Sequence, residues 1–165
     1  MGKTLYTLEV FLYDAPASEE FAKANPVVSR TIEIRGDQTL QDLHDAIFAA
    51  FDRWEEHMYE FHFGTGPHDY SEGRYRRPVP REMADLFGED TPASNAARTT
   101  LDSLGLTEET VFGYWFDFGD DWYHQVNVVA IGEAKPKVKY PRITARVGES
   151  PPQYMDYEDD EDDDE

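Results

Sequence analysis

Three observations in the sequence predict an α+β fold, a bent mixed or antiparallel sheet of β-grasp or roll type with one main helix packed on it and short extra helices. Residues 112–128 alternate aromatic and apolar side chains on both sides of an acidic break, which is the pattern of a β-hairpin. The N-terminal part holds two further alternating stretches. A capped segment with apolar residues at helical spacing follows them directly. A chain of 165 residues can enclose one core, so a single domain over residues 1–150 is expected, with an acidic tail at 151–165.

The first alternating stretch is Thr4 to Tyr13, and Tyr6, Leu8, Val10 and Leu12 form its better buried face. Asp14 to Pro26 is a connection with one helical turn at Ser18 to Ala24. Val27 to Arg35 alternates again, with Val28, Arg30, Ile32 and Ile34 on one side, and should pair antiparallel with the first strand. Thr39 then caps a helix whose third residue, Asp42, suits the positive end, while Leu40, Leu43, Ile47, Ala50 and Phe51 define its apolar face. His44 falls on the flank of that face and reads as a boundary histidine.

Trp54 to Phe63 returns to extended chain, with His57, Tyr59, Phe61 and Phe63 directed inward and Met58, Glu60 and His62 on the other face. Gly64 to Pro80 is expected to be a long surface loop. Its arginines Arg74, Arg76 and Arg77, together with Arg81, are the only dense basic patch and read as solvated. Arg81 to Phe87 is predicted as a short helix ended by Gly88, Asp90 to Ala97 as a loop, and Thr100 to Leu104 as one or two helical turns. After the central hairpin, Lys135 to Ile143 forms an edge or an irregular arm.

Phe112, Tyr114, Phe116 and Phe118 recur at every second residue before the acidic break, and Trp122, His124, Val126 and Val128 do so after it. Pairing Phe118 with Trp122 and Phe116 with His124 puts both sets on one face around the loop Gly119-Asp120-Asp121. A two-residue loop would shift the register by one and bury Tyr123 and Gln125 instead.

The net charge is −20, and nine acidic residues without a basic one lie between Asp156 and Glu165. The remaining body has 26 acids against 15 bases, so it is acidic in its own right. That argues against a broad nucleic-acid face, because phosphate neutralisation supplies most of such affinity. Short apolar runs broken by charges, no signal-peptide core and no cysteine fit a cytoplasmic protein without membrane attachment. The tail has no apolar content to repay ordering and is expected to be disordered. Removing residues 156–165 should leave the thermal unfolding midpoint of the rest unchanged, which melting of the truncated chain checks.

Thr39-Leu40-Gln41-Asp42-Leu43-His44 with Ile47 and Phe51, His57 followed by Glu60-Phe61, the stretch Tyr114 to His124, Tyr140-Pro141-Arg142 and Pro151-Pro152 together resemble the Ri-plasmid ORF-three-like proteins, sometimes described as mobile-element passenger proteins. The resemblance implies a mixed, strongly bent sheet with a helix on it, and it implies no settled reaction. Many members of that family carry cysteines near the Tyr-Pro-Arg and Pro-Pro segments. Here Ile143, Thr144, Glu149 and Ser150 stand nearby, so a thiol or zinc role for that arm is absent.

By strand parity His57 and His124 face inward, and Asp120 and Asp121 lie at the turn, so imidazole and carboxylate converge in this reading. Such a set suits a divalent metal with nitrogen and oxygen ligands, or a histidine oriented by a carboxylate for acid–base work, for instance in a hydrolase. The structural alternative is ordinary turn chemistry beside a packed core histidine. Asp117 lies beside Trp115 on the face opposite Phe116 and Phe118, where its carboxylate should either reach solvent or accept from Arg30 or Arg142, and a surface ion pair is the plain alternative to a site. An aromatic pocket with one acid and one arginine suits a small polar ligand or a peptide end. The expectation is therefore a binding module for a protein or small-molecule partner, without a required cofactor, centred on His57, Asp117, Asp120, Asp121, Trp122, His124 and Arg142. A metal-dependent enzyme using His57, His124, Asp120 and Asp121 is the alternative, and a nucleic-acid accessory role comes third.

Overall fold

Strands β1 (Thr4–Asp14) and β2 (Ser29–Arg35) pair antiparallel, with Leu8 opposite Ile32 and Val10 opposite Arg30. The computed structural model describes residues 3–14, 18–55, 57–64, 73–76, 94–117 and 121–151. Between the two strands a short helix α1 (Glu19–Ala24) starts at Ser18, whose side chain accepts from the Phe21 N–H. Helix α2 (Leu40–Ala50) opens with a full capping box: Thr39 Oγ1 accepts from the Asp42 N–H, and the Asp42 carboxylate accepts from the Thr39 N–H. Its far end is closed by two arginines, since the Ala50 carbonyl accepts from Arg30 Nε at 2.8 Å and from Arg146 Nη1 at 2.6 Å.

The other strands are β3 (Tyr59–Phe63), β4 (Gly73–Arg76), β5 (Ser94–Asn95), β6 (Val111–Phe116), β7 (Trp122–Glu133) and β8 (Arg142–Val147). They form one sheet in the order β5-β4-β3-β6-β7-β1-β2-β8. All neighbours run antiparallel except β4 and β5, so the sheet is mixed, as expected. Helix α2 covers one face, where Leu40, Leu43, Ile47 and Ala50 meet Leu8, Val10, Ile32 and Ile34 and the aromatics of β3, β6 and β7. Burying these side chains in place of leaving them in water stabilises the fold by roughly 1.5–3 kcal/mol for each large one, before the entropy cost of ordering.

The hairpin of β6 and β7 pairs Phe116 with Trp122 and Tyr114 with His124, a shift of two residues from the predicted pairing. Faces survive such a shift: Phe116 and His124 are both buried on the core side, but they are not directly opposed. The strand ends early because Asp117 takes the left-handed conformation (φ 62°) and gives its N–H to Met58 O at 2.8 Å, beside β3. The Asp121 N–H then returns to Asp117 O at 2.7 Å, and Phe118, Gly119 and Asp120 lie outside the described residues.

Within the expected loop at Gly64 to Pro80, residues 73–76 form strand β4, which sets Arg76 opposite Glu60 and Arg74 opposite His62. Glu60 and His62 are on the face opposite Tyr59 and Phe61, as expected, yet both are fully buried. His44 is also interior, with Nδ1 at 2.6 Å from the Tyr114 hydroxyl and its ring stacked on Tyr59 at 3.8 Å. Arg77, Arg81, the predicted helix at Arg81 to Phe87 and the tail from residue 152 lie outside the described residues.

Candidate functional site at the hairpin end

The chain leaving α2 makes a left-handed turn at Asp52 (φ 57°) and carries Arg53 back under the sheet. Arg53 is only 6% exposed. Its guanidinium lies over three rings, Phe51 at 5.0 Å, Phe116 at 4.8 Å and Trp122 at 4.9 Å, so the positive charge sits against the negative faces of an aromatic cage. No carboxylate lies within ion-pair distance of it among the described residues. Burial lowers its pKa to about 10, against attraction from Asp117, and it stays charged at neutral pH.

Arg53 Nη2 lies 2.6 Å from His124 Nε2. The other ring nitrogen, Nδ1, is 3.1 Å from the Tyr114 carbonyl, which can only accept. Nδ1 therefore carries the proton, Nε2 accepts from the guanidinium, and the imidazole is neutral. Burial and the adjacent Arg53 hold the His124 pKa well below its ordinary value, in agreement with that assignment. At this site three buried donors have no acceptor among the described residues: Arg53 Nε, Arg53 Nη1 and Trp122 Nε1. The ring faces give the guanidinium only a weak substitute for hydrogen bonds.

His57 reaches toward solvent from the same aromatic cluster. Its ring meets Phe116 edge-on at 5.8 Å, its side chain is 26% exposed, and Nε2 lies 3.4 Å from the buried carboxylate of Asp117 and 3.7 Å from Glu55. Asp117 is thus an interior acid, with His57 beside it and the Arg53 charge near enough to feel it, though outside ion-pair distance. Neither expected arginine partner is used. Arg30 caps α2 and bonds the Ser29, Val147 and Gly148 carbonyls, while Arg142 sits on edge strand β8 paired with Glu33.

Asp121 does not converge with His124. Its carboxylate accepts from Trp115 Nε1 at 2.9 Å, and Trp115 stacks on Tyr123 at 5.8 Å, on the face of the hairpin away from His124. Asp120 lies outside the described residues. Both nitrogens of His124 are already engaged, and among the described residues no three His, Cys, Asp or Glu side chains are grouped to hold a metal ion. The structure brings together His57, Asp117, Trp122 and His124 of the expected set, and adds Arg53. Sequence reasoning missed Arg53 because a lone arginine after an amphipathic helix looks like a solvated charge at the negative end of the helix dipole.

The family model for plasmid pRiA4b ORF-3-like protein matches residues 20–158. The chain belongs to this plasmid ORF-3-like family. The matched segment of this chain includes both α2 and the hairpin, and so every residue of the cage. The fold resembles the crystal structure of MM3350, a protein of unknown function from Methanosarcina mazei Go1, with a TM-score of 0.70 and 24% identity over 93% of this chain and 74% of that one. No curated protein matches the sequence. No helix among the described residues is long and apolar enough to cross a membrane.

Proposed function

We propose that this plasmid ORF-3-like protein is a cytoplasmic binding module that takes a small polar ligand or a peptide end at the hairpin end of the sheet. The observation that carries the reading is the set of buried donors on Arg53 and Trp122 that have no acceptor among the described residues, beside a His57–Asp117 pair that reaches solvent. Buried polar groups are nearly always satisfied, and a ligand oxygen is one partner that would satisfy these. The aromatic walls supply apolar contact, and the acid with the cation sets orientation.

Trp115 and Trp122 lie at this end of the sheet and Trp54, 68% exposed, follows Arg53 directly, so intrinsic fluorescence is a direct readout. A screen of small polar compounds and short peptides is expected to yield ligands that change the emission. Arg53→Met, which keeps the volume and removes the donors, should weaken them by about tenfold or more. Ligands that bind Arg53→Met and wild type equally would sink the reading.

The His57–Asp117 contact favours one second reading, a carboxylate-oriented histidine serving as acid or base in an enzyme, with or without metal. That reading expects hydrolytic turnover to disappear in His57→Gln. For its metal-dependent form, wild-type melting should rise with zinc, manganese or magnesium over chelator, and equal melting temperatures remove it.

A further inference from the structure

At the opposite end of the sheet, the start of β1, the ends of β2 and β7 and the connection into β8 surround an open cavity of about 580 Å³. Backbone pairing fixes its frame: Thr4 lies opposite Glu133, Leu5 opposite Arg35, and the Ala134 N–H donates to Lys3 O at 2.7 Å. Four cations line it, Lys3, Arg35, Lys135 and Lys137, with Glu133 in the same wall. Asp37 is shared behind two of them, 2.8 Å from Arg35 Nε and 3.3 Å from Lys3 Nζ, and these partners hold its carboxyl below the usual range.

Such clustering runs against the composition. Acids outnumber Lys and Arg by 35 to 15 over the chain, so an exposed lysine should readily find a carboxylate. Yet the ammonium groups of Lys135 and Lys137 have no acid within ion-pair distance among the described residues, Glu133 included. Lys137 also occupies the left-handed region (φ 69°) in the turn after Pro136, where glycine or asparagine is the low-cost choice. A charged side chain held there at a backbone cost, on the rim of a cationic cavity, calls for an anionic partner.

We infer that this cavity binds a small phosphorylated ligand, its phosphate oxygens accepting from Lys3, Lys135, Lys137 and the part of the Arg35 guanidinium that Asp37 leaves open. Several lysines are compact point charges that adapt to the many oxygens of a phosphate group, whereas a planar carboxylate is matched better by an arginine fork. The volume exceeds that of a phosphate and leaves room for an organic part against Val138 and Pro136. The site is independent of the hairpin end.

The test is calorimetric titration of the full chain with inorganic pyrophosphate at low and moderate salt. Saturable binding that weakens with salt is expected, and Lys135→Gln combined with Lys137→Gln should reduce affinity about tenfold or more. Lys137→Gly is the sharper variant, since it removes the ammonium and relieves the left-handed backbone: affinity should fall while the melting temperature holds or rises. Lys23→Gln on α1 serves as a control and should bind as wild type does. No binding, or equal losses in Lys23→Gln and Lys137→Gly, would overturn the inference. Binding seen only after residues 156–165 are removed would also overturn it, in favour of the chain's own acidic tail as the occupant.

Discussion

Replacing Arg53 by alanine is expected to lower the unfolding free energy by about 3–5 kcal/mol, whereas Arg53→Met should cost no more than about 1–2 kcal/mol. Alanine empties the slot between Phe51, Phe116 and Trp122 and leaves a cavity that rigid rings cannot close. Methionine refills that slot with a flexible thioether, which packs well against aromatic edges. It leaves His124 Nε2 without a donor, a loss of about 1–3 kcal/mol, but it also removes a buried cation. That cation is costly to bury, as its pKa near 10 records, each unit of lowering corresponding to about 1.4 kcal/mol. Urea unfolding at neutral pH measures both variants, and at this chain length 1 kcal/mol moves the melting point by about 2–4 °C. Equal large losses would mean that the guanidinium's bond to His124 dominates over its volume, and equal small ones that Arg53 is not part of the core.

The same residue marks the limit of what the sequence discloses. Strand and helix positions were legible wherever a period exists: alternation located β1, β2 and β7, and Thr39 with Asp42 located the start of α2. Parity also put His124 and Trp122 on the core face correctly. It could not choose between hairpin registers two residues apart, because both keep every side chain on its face. The choice was made by a tertiary contact, the Asp117 N–H reaching Met58 O on the neighbouring segment.

Partners of charged side chains were the least legible part. The sequence leaves Asp117 a choice of solvent, Arg30 or Arg142, but Arg30 is drawn to the open carbonyls at the end of α2, and Arg142 is carried to Glu33 by the pairing of β2 with β8. Arg53 enters the cage from a non-repeating segment, and no pattern announces which arginine a cage of distant rings will hold. Glu60 and His62 illustrate the same limit on the other face. Alternation says that they oppose Tyr59 and Phe61, and only the folded chain says that both faces of β3 are covered.

The protein should lose stability as pH falls below about 6.5, and His124 should account for a separable part of that loss. In the folded state burial and Arg53 keep the His124 pKa well below its ordinary value, whereas in the unfolded chain it titrates near 6.5. Above that pH both states hold the ring neutral, and His124 adds no pH dependence. Below it the unfolded chain takes up a proton that the folded one refuses, so stability declines by up to about 1.4 kcal/mol per pH unit until the folded pKa is reached. Protonation would also abolish the acceptor at Nε2 and set two cations 2.6 Å apart, which is why the folded state resists it. Asp37 acts in a lower window, since its carboxyl is depressed by Arg35 and its contribution fades only as pH falls through the carboxylate range. Denaturant unfolding of wild type and His124→Gln between pH 7.5 and 4.5 separates the two. Glutamine can accept from Arg53 and does not titrate, so the difference between the curves should be flat above about pH 6.5 and shrink or reverse below it. A difference that stays constant across the range would show that His124 protonates equally in both states, and the neutral, arginine-bound histidine would have to be abandoned.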